Sequence, residues 1–111
     1  MITHSIVETD RPERYAKQLV SHLSRKCQAE EVENGTRLRL GLPEGLFGYG
    51  TVLVVKDEDD SAESLVLLAE ADDQEMLERV EHVVGSHLAR FGEKDGLIVE
   101  WHEGPLASPI G

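Results

Sequence analysis

Residues 65–92, LVLLAEADDQEMLERVEHVVGSHLARFG, carry the two clearest structural signals of the 111-residue sequence. The five consecutive apolar residues at 65–69 predict a central β-strand that is buried on both faces. After this strand, Asp72 or Asp73 is predicted to cap the start of a helix, and Gly92 is predicted to end it. The apolar residues of the helix recur at intervals of three and four, which predicts one apolar face packed on the sheet. These residues are Leu77, Val80, Val84, Leu88 and Phe91.

A second strand and helix are predicted on the N-terminal side. Residues 3–8 contain several β-branched side chains, which favour a strand. Asp10 is predicted to cap a helix that has Pro12 in its first turn and runs to about Arg25. The apolar residues of this helix also share one face; they are Ala16, Leu19, Val20 and Leu23.

The remaining segments predict further strands. Asn34-Gly35 is a preferred pair for a type I′ turn and predicts a hairpin. Residues 36–40 alternate polar and apolar side chains, which is typical of a strand with one wet face. Residues 46–55 predict a long strand, and residues 97–102 predict the last one.

The predicted element order is therefore β-α-β-β-β-β-α-β. Because most connections are short, we expect an α+β two-layer sandwich with a largely antiparallel sheet and both helices on one face. The sequence contains no internal repeat, so residues 1–103 are predicted to form a single domain. Residues 104–111, which include two prolines, are predicted to be a flexible C-terminal tail.

The sequence is strongly acidic, with 22 acidic residues, 11 basic residues and a net charge of −11. Binding to phosphate backbones or to anionic lipid surfaces needs clustered Lys and Arg. The longest basic run is Arg25-Lys26, so nucleic-acid and membrane-surface roles are not expected. An acidic surface is typical of a protein that is kept in solution by its charge, and it also suits a basic partner or a cation.

Cysteine usage and the N-terminal sequence predict a cytoplasmic protein. Cys27 is the only cysteine, which excludes an internal disulfide and Cys-rich metal motifs. The N-terminal residues lack the basic start and apolar stretch of a signal peptide. The longest apolar run, residues 65–69, is far too short to cross a membrane.

Candidate functional side chains lie on the two predicted helices, since the sequence has no phosphate loop, GxGxxG, GxSxG or HExxH motif. Arg14, Gln18 and His22 are spaced by four and form a row beside Tyr15. This row is either a pocket wall or an ordinary helix border. His87 falls inside the apolar stripe of the second helix, which favours a core histidine whose nitrogens bond to a backbone carbonyl or to water.

Two helices lying side by side would let His22 face His87. Two histidines are fewer than the three or more ligands of a usual metal site, so a carboxylate such as Glu81 or Glu8 would have to complete it. The sequence therefore leaves His22 and His87 as candidate metal ligands and does not identify the ion. It identifies no catalytic residue and no cofactor-binding residue.

Two motifs in the sequence carry a resemblance to a known family. The first comprises residues 9–15, TDRPERY, together with Lys17-Gln18-Leu19 and His22. A second motif comprises Val83-Val84, His87-Leu88, Arg90-Phe91 and Trp101. Over roughly residues 5–102 the chain resembles a bacterial domain-of-unknown-function family, number 2218. The chain departs from that family's pattern in the acidic segment after Phe91 and in a long acidic loop at residues 56–64.

The resemblance implies an association with siderophore-interacting flavin reductases and other iron-acquisition proteins. It also marks a set of polar positions as candidate binding residues. These are Arg14, Tyr15, Gln18, His22, His87 and Arg90.

Three classes of function are compatible with the sequence. The favoured hypothesis is a non-enzymatic accessory or binding module for iron or siderophore handling, with a siderophore-interacting reductase as its protein partner. The alternative is an interaction domain or structural homodimer, because strands 52–55 and 65–68 are apolar on both faces. The third is a small enzyme in which His22 and His87 act as acid and base while Arg14 and Tyr15 orient an anionic substrate.

Overall fold

A six-stranded antiparallel sheet carries two α-helices, as seen in a computed structural model that describes residues 1–41, 47–56 and 63–104. The elements are β1 (Ile2–Val7), α1 (Pro12–Leu23), β2 (Gln28–Val32), β3 (Gly35–Gly41), β4 (Phe47–Lys56), β5 (Glu63–Glu70), α2 (Gln74–Phe91) and β6 (His102–Glu103). A short 3-10 helix, Glu93–Asp95, follows α2. The predicted α+β class and the predicted element order are both confirmed.

The strand order across the sheet is β2-β3-β4-β5-β1-β6, and each pair of neighbours is antiparallel. β5 lies inside the sheet, as its run of apolar residues predicts. Its Leu67 is opposite Val52 of β4 on one side and Ser5 of β1 on the other. The chain thus forms a continuous meander from β2 to β5, and β1 joins it from the other end of the sequence.

The main core lies between the helices and one face of the sheet. Leu65, Leu67 and Ala69 of β5 are completely buried in the same apolar cluster as Leu19 of α1 and Leu88 of α2. Alternate residues of a strand point to opposite faces, so these three residues place both helices on one side. The two-layer arrangement follows from this packing.

The other side of the sheet, here called the outer face, carries no helix from the described part of the chain. By alternation it presents Ile6 of β1, Leu53 of β4, and Val66 and Leu68 of β5. The strand register places Val66 between Leu53 and Ile6. Val66 is 1% exposed, whereas Ile6 at the margin is 52% exposed.

The helix starts agree only partly with the predicted caps. In α2, the Asp73 carboxylate accepts a hydrogen bond of 2.9 Å from the Met76 backbone N–H, which confirms the predicted cap. In α1, the prediction of Asp10 is wrong: Arg11 occupies the N-cap position and makes no side-chain cap bond. Pro12, whose fixed φ suits the first turn, begins the helix directly.

The β2–β3 turn differs from the predicted type I′ form. The two connecting residues are Glu33 and Asn34, and of these only Asn34 has a positive φ, 69°. Gly35 instead begins β3, where a Cβ atom would lie 2.9 Å from the carbonyl carbon of Val52. The glycine is needed because β4 approaches closely, and the left-handed turn position falls to asparagine.

The last strand is shorter than predicted. Only His102 and Glu103 pair with β1, and residues 97–101 are not in a strand. Trp101 and Val99 pack instead against α2, within 3.3 Å and 3.4 Å of the Cβ position of Gly85. Neither described helix combines the length and apolar composition of a membrane span.

Two predictions fall largely outside the described residues. They concern the acidic loop at 56–64, of which residues 57–62 are not described, and the C-terminal tail at 104–111, of which only Gly104 is described.

Candidate functional site: a paired-histidine patch

The two helices lie side by side and run in opposite directions. Near the start of α1, the Tyr15 hydroxyl donates a hydrogen bond to the Asp95 carboxylate, just after the end of α2. Near the end of α1, the ring of His22 contacts the ring of His87, which lies one turn before the end of α2. These two contacts place the C-terminal half of α1 beside the C-terminal half of α2.

The histidines form the centre of a small aromatic group. The ring centroids of His22 and His87 are 4.9 Å apart, with the planes tilted by 42°. Phe91 lies one turn beyond His87, and its ring meets that of His22 edge to face at a centroid distance of 5.3 Å. His22 is exposed and His87 and Phe91 are half-buried, so the group faces solvent at the seam between the helices.

The hydrogen bond of His87 fixes which of its nitrogens is free. The Nδ1 atom lies 2.6 Å from the carbonyl oxygen of Val83, one turn earlier in α2. A carbonyl oxygen only accepts, so the proton of the neutral ring is on Nδ1. Nε2 then carries the lone pair. The predicted bond to a backbone carbonyl is present, but His87 is half-buried and not the predicted core residue. The bond leaves one ring nitrogen available.

The field around His22 is positive in a chain whose net charge is −11. Partial desolvation, first, and then nearby positive charges lower the pKa of His22 from its ordinary value. Those charges belong to Arg25, Lys26 and Arg90, and to His87 when its ring is protonated. We call the site formed by His22, His87, Phe91, Arg25, Lys26 and Arg90 the histidine patch.

A match to a known family accompanies this geometry. Residues 4–102 match the model of a family described as "Uncharacterized protein conserved in bacteria (DUF2218)". The chain belongs to the DUF2218 family. The resemblance seen in the sequence motifs is thereby confirmed, while the family description names no activity.

Further comparisons concern the fold alone. An NMR structure of PA4090 from Pseudomonas aeruginosa is similar to this DUF2218 chain, with a TM-score of 0.64 and 18% sequence identity. The match covers 92% of this chain and 96% of that one. Among curated proteins, no match was found.

The structure divides the six candidate binding residues of this DUF2218 chain into two groups. His22, His87 and Arg90 come together in the histidine patch. Tyr15 is buried at the opposite end of α1, where its hydrogen bond to Asp95, and then burial, raise the pKa of its phenol. Arg14 is beside Tyr15, and Gln18 is exposed one turn before His22.

Three members of the patch were not predicted as site residues. Arg25 and Lys26 follow His22 by three and four residues, and Phe91 follows His87 by four. The spacing in α2 would have suggested Phe91, because residues four apart are neighbours on a helix. The two basic residues follow the end of α1, where no helical spacing predicts their direction.

The suggested third metal ligands lie elsewhere in the molecule. Glu81 accepts a hydrogen bond of 2.6 Å from the Thr3 hydroxyl, and Glu8 lines a separate surface cavity with Arg11 and Asp95. Within residues 1–41, 47–56 and 63–104, no group of three or more His, Cys, Asp or Glu side chains is arranged to hold a metal ion.

Proposed function

We propose that this chain is a non-enzymatic binding module of the cytoplasm and that the histidine patch is its ligand site. The observation that carries the proposal is the solvent-facing pair of imidazoles, 4.9 Å apart, with Nδ1 of His87 anchored to a backbone carbonyl. The hydrogen bond holds the half-buried ring in place and leaves its Nε2 free of that bond. A pre-oriented nitrogen beside a second imidazole favours binding over a purely structural role.

The geometry gives less support to the enzyme hypothesis. In that hypothesis Arg14 and Tyr15 orient a substrate for His22 and His87, but the Tyr15 hydroxyl is bonded to Asp95 at the other end of α1. Cys27 offers no activated thiolate, since burial raises the pKa of its thiol. The polar groups of α1 therefore do not converge on one reacting atom.

We further propose that the module serves iron or siderophore handling, as the family resemblance implies, with a siderophore-interacting reductase as partner. Two imidazoles fill only part of the coordination shell of an iron ion. Iron held by an organic chelator brings its own oxygen ligands, so the patch would need to supply only surface contacts or one vacant position. The site thus suits iron delivered as a chelate better than bare iron.

The test is calorimetric titration of chelator-treated protein, first with ferrous iron and then with ferric citrate. The His22→Ala/His87→Ala double variant is compared with His82→Ala, which removes an exposed histidine from another face of α2. Binding by the native protein and by His82→Ala that is lost in the double variant, with unchanged circular dichroism, would support the proposal. The absence of binding by either form of iron would refute the iron assignment.

A second candidate function is homodimer formation through the outer face of the sheet. Ile6 and Ile98 are 52% and 68% exposed, and they border the same surface cavity as Glu100 and His102. A two-fold axis parallel to the strands would place β3 of one protomer over β1 and β6 of its partner. Arg37 of β3 would then approach Glu100, so charges of opposite sign would meet across an apolar centre.

Size-exclusion chromatography with light scattering tests this candidate. A dimeric mass that becomes monomeric in Ile6→Asp, but not in Ala29→Asp on the exposed strand β2, would support it. A monomeric mass for the native protein at millimolar concentration would refute it.

A further inference from the structure

We propose that the histidine patch recognises its ligand through a carboxylate attached to a flat ring, and that bare cations are excluded. This inference rests on the proposed function for the location of the site. It adds the chemical class of the group that the site holds. Three features of the patch support it independently of the family.

The first feature is the sign of the charges that surround His22. Arg25 and Lys26 lie in the turn after α1, and Arg90 lies on α2 three residues after His87. The charges that lower the pKa of His22 are those of these three residues and of His87, and all of them are positive. A bare divalent ion entering the patch meets three permanent positive charges, whereas a carboxylate is attracted by all of them. Arg25 and Arg90 also have the planar guanidinium that pairs with a carboxylate through two parallel bonds.

The second feature is the fixed tautomer of His87. Its Nε2 accepts a hydrogen bond while the ring is neutral, because Nδ1–H is committed to the Val83 carbonyl. A hydroxyl group on the ring of the ligand, too far from its own carboxylate to bond to it, would donate to this nitrogen. His22, in contrast, has no hydrogen bond through its ring among the described contacts, so it is free to take up a proton when an anion arrives.

The third feature is the arrangement of the rings. His22 is packed edge to face with Phe91, with an angle of 79° between the planes, and is tilted by 42° against His87. The three rings form an angular aromatic surface at the seam between the helices. Flat rings pack on such surfaces with more energy than their contact area alone provides. A saturated ring of the same charge gains only the stabilisation that its contact area provides.

The experiment uses NMR titration of protein labelled at its histidine rings. The probe is 3-hydroxybenzoate, which carries the carboxylate, the ring and a hydroxyl that is free to donate. Because the site is open to water, we expect a dissociation constant of about 1 mM at low salt. The ring signals of His22 and His87 should move to saturation, and the pH titration of His22 should shift upward when the probe is bound. Cyclohexanecarboxylate and neutral 3-hydroxybenzyl alcohol should each bind at least about fivefold more weakly.

Matched variants test the charge argument. Arg25→Gln/Arg90→Gln should weaken binding of the probe by about tenfold or more, because it removes two of three permanent charges. Arg79→Gln removes a positive charge from the exposed side of α2, in its first half and away from the patch, and should leave binding unchanged. Both variants keep the buried core of the helices, so their spectra should otherwise match the native protein.

The possible failures are distinguishable. If ferrous ion binds in a histidine-dependent manner and 3-hydroxybenzoate does not, this inference is overturned while the proposed site stands. Equal binding of cyclohexanecarboxylate would overturn the requirement for a flat ring. If neither the probe nor any form of iron moves the His22 and His87 signals, the inference and the proposed function both fail.

Discussion

Substitution of Gly92 by alanine should destabilise the protein through a clash within the turn that follows α2. A Cβ atom at Gly92 would lie 2.9 Å from the Cβ of Leu97 and still closer to the rest of that side chain. Rotation of the Leu97 side chain leaves its Cβ in place, so relief requires the backbone to move. The φ of Gly92 is −97°, which alanine adopts without strain. The whole effect should therefore come from the contact with Leu97.

The size of the effect follows from what the movement breaks. Leu97 is half-buried against the main core, and losing half the burial of a leucine costs about 1 kcal/mol. The same shift breaks the hydrogen bond of 3.2 Å from the Leu97 N–H to the Gly92 carbonyl, which contributes about 1 kcal/mol more. The free energy of unfolding should fall by about 2 kcal/mol. For a chain of this length that lowers the melting temperature by about 8 °C.

Thermal denaturation followed by circular dichroism measures this change, and a double-mutant cycle tests its cause. Gly41→Ala is the control, because no described atom lies within 4 Å of the Cβ that it adds. In Gly92→Ala/Leu97→Ala the clash is reduced. The losses in free energy of unfolding of the two single variants should therefore sum to clearly more than the loss of the double variant. A native melting temperature for Gly92→Ala, or strictly additive losses in the cycle, would show that the turn is not packed as described.

Other residues give predictions of the same kind. Tyr15→Phe removes the hydrogen bond to Asp95 between the helices and should lower the melting temperature by a few degrees in a thermal scan. Asp73→Ala removes the acceptor for the Met76 N–H and should cost about 1 kcal/mol in urea denaturation; a loss below 0.2 kcal/mol would contradict the cap. The fold lowers the pKa of His22, so the unfolded chain binds more protons there and stability should fall as the pH drops below about 6.5. His22→Gln should reduce this fall in stability at low pH. An unchanged dependence of stability on pH would contradict the contribution assigned to His22.

The order of elements was predictable because each signal is local. The consecutive apolar residues at 65–69 gave the inner strand β5, and the spacing from Leu77 to Phe91 gave α2 its buried face. The order of the strands across the sheet was only partly predictable. β1 lies between β5 and β6, and both of these partners are distant from it in the sequence. The end of the sheet was misjudged because Val99 and Trp101 contribute more by packing on α2 than by extending β6.

The pairing of His22 with His87 was predictable from the sequence, but the charges around the pair were not. His22 and His87 could be placed together once two helices were expected side by side on one face. The positive field was not foreseen, although Arg25-Lys26 was the longest basic run in the sequence. Charges at the end of a helix take their direction from the tertiary structure, and Arg90 reaches His22 only from the other helix. The net charge of −11 suggested a preference for cations and gave no indication of the local positive charges around His22.

The position of β1 in the sheet also bears on how the protein folds. The strands from β2 to β5 pair with their sequence neighbours and close short loops, which is rapid. β1 must wait for β5, since Ile2 lies opposite Glu70 and Val7 opposite Leu65. α1 follows β1 directly, and its contact with α2 depends on the same long-range closure. We therefore expect the meander to form early and the seam that holds both histidines to assemble late.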